Sequence, residues 1–292
     1  MAKKTWIEVA LNGAMGRKCQ PGIPVTCEEI VRDGVGCIKA GASVLHAHPL
    51  DPNSTRQNED LQLSIQFASE IKDKVDAIIY PGLILNSRNL EELISRGLLE
   101  WAAIDPSSTN FLPLGSGPEP IFNDGVYANP IPNTQKALSL AAKHKLHPSY
   151  ACFEPGFIRM GAELHRINAQ VPVPIYRYMF SSGFAFGFPP EIWALEAYVK
   201  LTEQVAPGAP WMVAGLAVDV IPLIPAVVKM GGHLRVGLED APYNCPHSNI
   251  KLVEIAVDAV QRAGSEPATT SEVRTALAQA NQVNISLHRS AR

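Results

Sequence analysis

A (β/α)8 TIM barrel is the fold class this chain predicts, and three observations carry the prediction. About eight short apolar runs rich in β-branched and aromatic residues recur along the sequence, and each is followed by a polar loop and a stretch with helical spacing. The chain is 292 residues long and 46% hydrophobic, enough to fill one large core. No G-x-G-x-x-G follows the first run, which disfavours the doubly wound open sheet that would otherwise compete.

The strands are expected near residues 6–11, 43–48, 76–81, 101–105, 149–154, 174–180, 211–215 and 233–238. After the first, Thr26 followed three residues later by Glu29 forms a capping box that opens a helix. Pro189, Pro190 and Glu191 put proline where a first helical turn tolerates it. Two more helices are expected at 249–263 and 271–282, the second within a C-terminal extension that begins near residue 265. The Pro- and Gly-rich stretches 112–132 and 181–190 fall between βα units, as long loops of one domain spanning 1–292. The tail after Val283 reads as frayed or as a docking arm.

Composition narrows the function. Charged residues are 18% of the chain and the formal net charge is -3, so there is no basic excess to neutralise a nucleic acid backbone. Five scattered cysteines, with no C-x-x-C pair, fit a reducing cytoplasm better than a disulfide framework. The sequence contains neither the apolar core of a signal peptide nor an uninterrupted apolar run of membrane-spanning length, so cytoplasmic localisation without a membrane partner is expected.

In a (β/α)8 barrel the chemistry sits on the loops that follow the strands. His46 and His48 end the second strand, where residues i and i+2 point to the same side and offer two imidazoles to a metal. Isolated pairs of this kind are more often hydrogen-bonded core histidines. The last strand strengthens the metal reading, because Glu239 at its end supplies a third, carboxylate ligand. Arg235 lies inside that strand and requires a carboxylate, for which Asp240 and Glu154 are the candidates. Glu154 closes the fifth strand, a position that equally suits a helix cap. Ser107, Ser108, Thr109 and Asn110 after the fourth strand offer hydroxyls and an amide to an anion, or simply satisfy a polar turn.

Taken together, the segments 10–14 and 40–48, Ser108 to Phe111, Glu154, the run from Gly231 to Tyr243, and Leu252 to Glu254 resemble the β-keto acid cleavage enzymes, the family typified by 3-keto-5-aminohexanoate cleavage enzyme. Gly-Gly-His-Leu-Arg-Val-Gly-Leu-Glu-Asp at 231–240 is the most specific piece. The resemblance implies a zinc (β/α)8 barrel that condenses a β-keto acid with acetyl-CoA and cleaves the product to acetoacetate and a new acyl-CoA. It implies Zn2+ on His46, His48 and Glu239, with Asp240 as the base that removes a proton from the acetyl methyl. Arg235 and Glu154 match the charged partners that orient this base, and Ser108 and Asn110 match substrate contacts. The relatives form homo-oligomers, and a tetramer is the expected state.

Three positions depart from the family pattern. Leu50 stands where an arginine is typical, Met15 replaces the acid that faces a substrate amino group, and Tyr80 precedes Pro81 and Gly82 where hydroxyl residues are common. Met15 and Tyr80 are therefore expected to line a changed substrate pocket, with Arg17 and Lys18 placed to meet a second carboxylate. Two other classes compete: a zinc-dependent hydrolase on the same barrel, and a metal- or acyl-ligand-binding barrel without turnover.

Overall fold

The computed structural model describes residues 4–82, 87–115 and 125–290. Ten strands and nine α-helices alternate among the described residues. Eight strands form one sheet: β1 (Ile7–Ala10), β2 (Val44–Ala47), β3 (Ile78–Pro81), β4 (Trp101–Ala103), β7 (His147–Cys152), β8 (Ile175–Ser181), β9 (Trp211–Leu216) and β10 (His233–Val236). Their order is β3-β2-β1-β10-β9-β8-β7-β4, every pairing is parallel, and β3 packs beside β4 to close the ring. Each of the eight lies within two or three residues of a strand expected from the sequence, so the (β/α)8 barrel stands.

The strands read as continuous apolar runs because both faces are covered, one by the barrel interior and one by helices. The helical coat is α1 (Cys27–Ala40), α2 (Leu61–Lys72), α3 (Ser87–Ser95), α4 (Ile131–His144), α5 (Pro155–Ile167), α6 (Ile192–Val205), α7 (Ile224–Met230) and α8 (Asn249–Arg262). At the start of α1, the Thr26 hydroxyl accepts from Glu29 N, and the Glu29 carboxylate accepts from the backbone amides of Val25 and Thr26. α6 begins one residue after Glu191, so the two prolines at 189–190 precede the first turn instead of lying in it.

Three features lie outside the sequence expectations. A short antiparallel ribbon, β5 (Thr109–Asn110) with β6 (Val126–Tyr127), stands on the rim after β4. Helix α9 (Thr270–Ser290) continues past the point where a frayed tail was expected. Leu50 is buried with Ile23, Val25, Leu238 and Leu252 in a small apolar cluster apart from the main core, so the loop after His48 is anchored by packing. The Pro- and Gly-rich stretch 112–132 falls partly outside the described residues.

Among the buried polar side chains of the strands are Glu8 from β1, Tyr80 from β3, Arg177 from β8 and Arg235 from β10. Glu8 and Arg235 are register partners across the β1–β10 pair, which fixes them side by side. No helix among the described residues is long and apolar enough to cross a membrane.

Candidate metal centre and active site

His46 and His48 leave β2 on the same side, and Glu239 meets them from the turn after β10. That turn depends on Gly237, whose φ of +136° suits a residue without a side chain and where a Cβ would stand 2.0 Å from Ala10 O. Asn12, in the loop after β1, accepts from His48 N at 2.8 Å and donates to Pro24 O and His48 O, both at 3.0 Å. Neighbouring strand ends thus bring the three candidate ligands together, with the two histidines on one side of β2.

The hydrogen bonds of the two rings fix their tautomers. His46 Nδ1 lies 2.9 Å from the carbonyl of Tyr80 and therefore carries the proton. His48 Nδ1 lies 2.9 Å from Gln57 Oε1, and that amide is oriented because its Nε2 donates to Gly82 O at 2.9 Å. Both Nε2 atoms consequently present lone pairs, yet they face each other at 3.0 Å. Burial and the neighbouring positive groups push His46 well below its ordinary pKa even though Glu239 opposes this, so a proton between the rings is disfavoured.

Glu239 completes the set with oxygens 3.7 Å from His46 Nε2 and 3.5 Å from His48 Nε2, and its Oε2 is buried with no hydrogen-bond partner. Burial would raise this carboxylate, but Arg235 and the histidines hold it well below the usual range. Two converging lone pairs and an orphaned carboxylate oxygen are satisfied together by a cation. Zinc bound at 2.0–2.1 Å places tetrahedral ligand atoms about 3.3 Å apart, close to the spacings found here. The residues present therefore fit a metal ion.

Behind the ligands, Arg235 is 2% exposed and sits among three acids. It donates from Nη2 to Glu239 Oε1 at 2.6 Å and to Asp240 Oδ1 at 2.7 Å, from Nε to Asp240 Oδ2 at 3.0 Å, and from Nη1 to Glu8 Oε1 at 3.3 Å. Asp240 Oδ2 also accepts from Gly215 N at 3.2 Å. Burial pushes the Asp240 carboxyl up to about 6, against the lowering pull of Arg235. Tyr80 donates its hydroxyl to Glu8 Oε1 at 2.5 Å.

These elements open into a cavity of about 1430 Å³ lined by His46, His48, Glu239 and Arg235, with Met15, Lys18, Asp105, Tyr127 and Arg177 around them. Met15 is among the residues that line this cavity. Several other expected positions are not. Glu154 is the N-cap residue of α5 and lies outside the Arg235 cluster, whose third acid is Glu8. The strand before Glu154 ends at Cys152, so its side chain is carried to the helix start. Ser108 and Asn110 are exposed on the rim: Ser108 Oγ accepts from Asn129 N at 2.7 Å, and Asn110 belongs to the β5–β6 ribbon. Tyr80 is fully buried, and it orients His46 and Glu8 instead of touching the cavity. Arg17 is paired with Glu29 at 2.8 Å, which leaves Lys18 as the basic residue of that loop on the cavity.

Glu8, Gln57, Asp105 and Arg177 were missed. Glu8 and Arg177 were visible as charges inside otherwise apolar strand sequences. Gln57 and Asp105 carry no such signal, because polar residues in loops are ordinary.

Fold and site together define a (β/α)8 barrel with a His-His-Glu group that could hold a metal ion at the C-terminal ends of its strands. A profile of the β-keto acid cleavage enzymes matches residues 4–278, and the chain belongs to that family. It is 29% identical over 286 residues to the 3-keto-5-aminohexanoate cleavage enzyme of Fusobacterium nucleatum, covering 95% of this chain and 98% of that one. It is 24% identical to the 3-oxoadipate:acetyl-CoA acetyltransferase of Cupriavidus necator, covering 95% of each. Among solved structures, apo ObcA superposes with a TM-score of 0.72 at 15% identity, covering 88% of this chain and 66% of that longer one. At that identity the likeness speaks for the fold.

Proposed function

We propose that this chain is a zinc-dependent β-keto acid cleavage enzyme, in which a β-keto acid and acetyl-CoA give acetoacetate and a new acyl-CoA. The observation that carries the reading is the pair of His46 and His48 lone pairs, backed by Arg235 and Asp240 and opening on a cavity large enough for an acyl thioester beside a small acid. His46, His48 and Glu239 would hold the metal, and a bound ion supplies a Lewis acid for the keto group.

Atom balance assigns the proton. Acetoacetate retains the methylene and carboxylate of the keto acid and takes the acetyl group of acetyl-CoA, while the remaining acyl group passes to sulfur. The carbon to be activated is therefore the methylene between keto group and carboxylate, not the acetyl methyl. Asp240 is the base for that proton: its raised pKa places it near the working pH, and Arg235 fixes both its oxygens. Arg235, buried among three carboxylates, keeps its charge while the proton moves.

The proposal is tested by elemental analysis of purified wild type and His46→Ala, with an assay for acetoacetate and acyl-CoA from acetyl-CoA and a panel of β-keto acids. About one zinc per chain, lost in the variant, with both products formed in equal amounts, is expected. Asp240→Asn should keep the metal and lose about 10²- to 10⁴-fold in kcat. Release of free acid without any need for CoA would replace the reading with hydrolysis.

A further inference from the structure

Arg177 is a buried cation of the cavity that neither the candidate metal set nor the Arg235 cluster uses. It projects from β8, is 4% exposed and lines the same cavity as His46, His48 and Glu239. Among the described residues its guanidinium makes a single hydrogen bond, from Nη2 to Ser149 O at 3.3 Å, and its Nε is buried with no partner. A guanidinium carries five donors, and a buried one with so little compensation is costly.

The nearby acids make their hydrogen bonds elsewhere, although Glu8 Oε2 is itself buried without a partner among the described residues. Asp105 accepts from the Tyr127 hydroxyl and from Ala151 N, and Glu8 accepts from Arg235 and Tyr80. Their fields keep Arg177 protonated without supplying it a hydrogen-bonded carboxylate. Arg177 Cζ lies 5.8 Å from the centroid of the Tyr80 ring, and the His46 ring centroid lies 4.6 Å from that same ring.

We propose that Arg177 is an anion subsite that binds the carboxylate of the β-keto acid while the keto oxygen faces His46, His48 and Glu239. The proposal rests on the cleavage reading for the identity of the ligand. A β-keto acid carries one carboxylate a single methylene from its keto carbon, so a cation that lines the same cavity as the candidate metal ligands matches the second functional group of the same small molecule. Removing the methylene proton adds negative charge next to that carboxylate, and a fixed, water-excluded guanidinium offsets it. Bidentate, charge-assisted pairing also selects acids over neutral ketones.

The test is binding of acetoacetate and of its neutral analogue methyl acetoacetate to the zinc-loaded protein, by titration calorimetry, in wild type, Arg177→Lys and Arg177→Met. Wild type should prefer the acid about ten- to hundredfold, Arg177→Lys should retain part of that preference, and Arg177→Met should bind both with similar affinity while keeping its zinc. A wild type that does not distinguish acid from ester overturns the proposal without reference to any variant. So does an Arg177→Met protein, folded and zinc-loaded, that keeps the preference. Because binding is read without turnover, acid selectivity through Arg177 in a protein that makes no acyl-CoA would remove the cleavage reading and leave the subsite; turnover with unaltered selectivity in Arg177→Met would do the reverse.

Discussion

At the scale of single residues, the site is governed by hydrogen bonds that leave specific lone pairs with nowhere to go. Gln57 is the clearest case: it accepts from His48 Nδ1 and thereby turns His48 Nε2 toward His46. Gln57→Leu should weaken zinc binding about 10- to 100-fold with little change in unfolding midpoint of the metal-free protein, as a competition titration against a chelating dye would show. Gly82 acts through space instead, since a Cβ there would stand 2.3 to 2.5 Å from three atoms of the His48 ring. Glu8 is structural as well as electrostatic. Glu8→Leu leaves the Tyr80 hydroxyl and one Arg235 nitrogen without their acceptor in the barrel interior, and should cost about 3 kcal/mol in a denaturant titration.

At the scale of elements, α1 ties the first loop to the barrel. Its N-terminus is held by the Thr26 and Glu29 capping box, and Glu29 also binds Arg17, two residues from the cavity residue Met15. Burial, which would raise the Glu29 pKa, is outweighed by the amides of Val25 and Thr26 and by Arg17, which together lower it to about 2. A carboxylate with a depressed folded pKa stabilises the fold fully above its unfolded value near 4.5, and that contribution disappears as the pH falls toward 2. The stability gap between wild type and Glu29→Gln, measured by urea unfolding, should therefore be constant from pH 7 to about 5.5 and shrink below about 4.5. A gap that stays flat to pH 2.5 would mean that the capping geometry, not the charge, carries the effect. Substituting Thr26 by Ala should cost about 1 kcal/mol at neutral pH by the same unfolding assay.

At the scale of the whole molecule, the barrel brings acids and bases from several strands into one interior, and the metal-free state contains buried groups that only a cation satisfies. Chelation should lower the thermal midpoint, and added zinc should restore it in a concentration-dependent way, with about 2.7 kcal/mol gained at a hundredfold excess over the dissociation constant. His46→Ala should show no such response, and a thermal scan checks both. The fold itself was legible because each strand is a local apolar run buried on both faces, and each helix has its own amphipathic spacing and caps. His46, His48, Glu239, Arg235 and Asp240 were legible as candidates because two sequence segments carry them: the histidines share the period of a strand end at β2, and the other three fall in and just after β10 within the run at 231–240 that resembles the family.

Other residues were misplaced where the sequence offered a polar residue at a strand end and nothing to say which way it would turn. Glu154 takes the N-cap position of α5, Tyr80 turns into the barrel interior, and Ser108 and Asn110 lie exposed at the β5–β6 ribbon, whose pairing the local sequence does not announce. The sequence by itself determined the alternating elements, the barrel class and the strand ends that carry the candidate metal ligands, since these depend on local periodicity. Only the tertiary structure decided that Glu8 and not Glu154 joins Arg235, and that Arg177 faces the same cavity as the metal ligands. Those relations depend on closure of the ring, which sets strands far apart in the chain side by side and fixes their register.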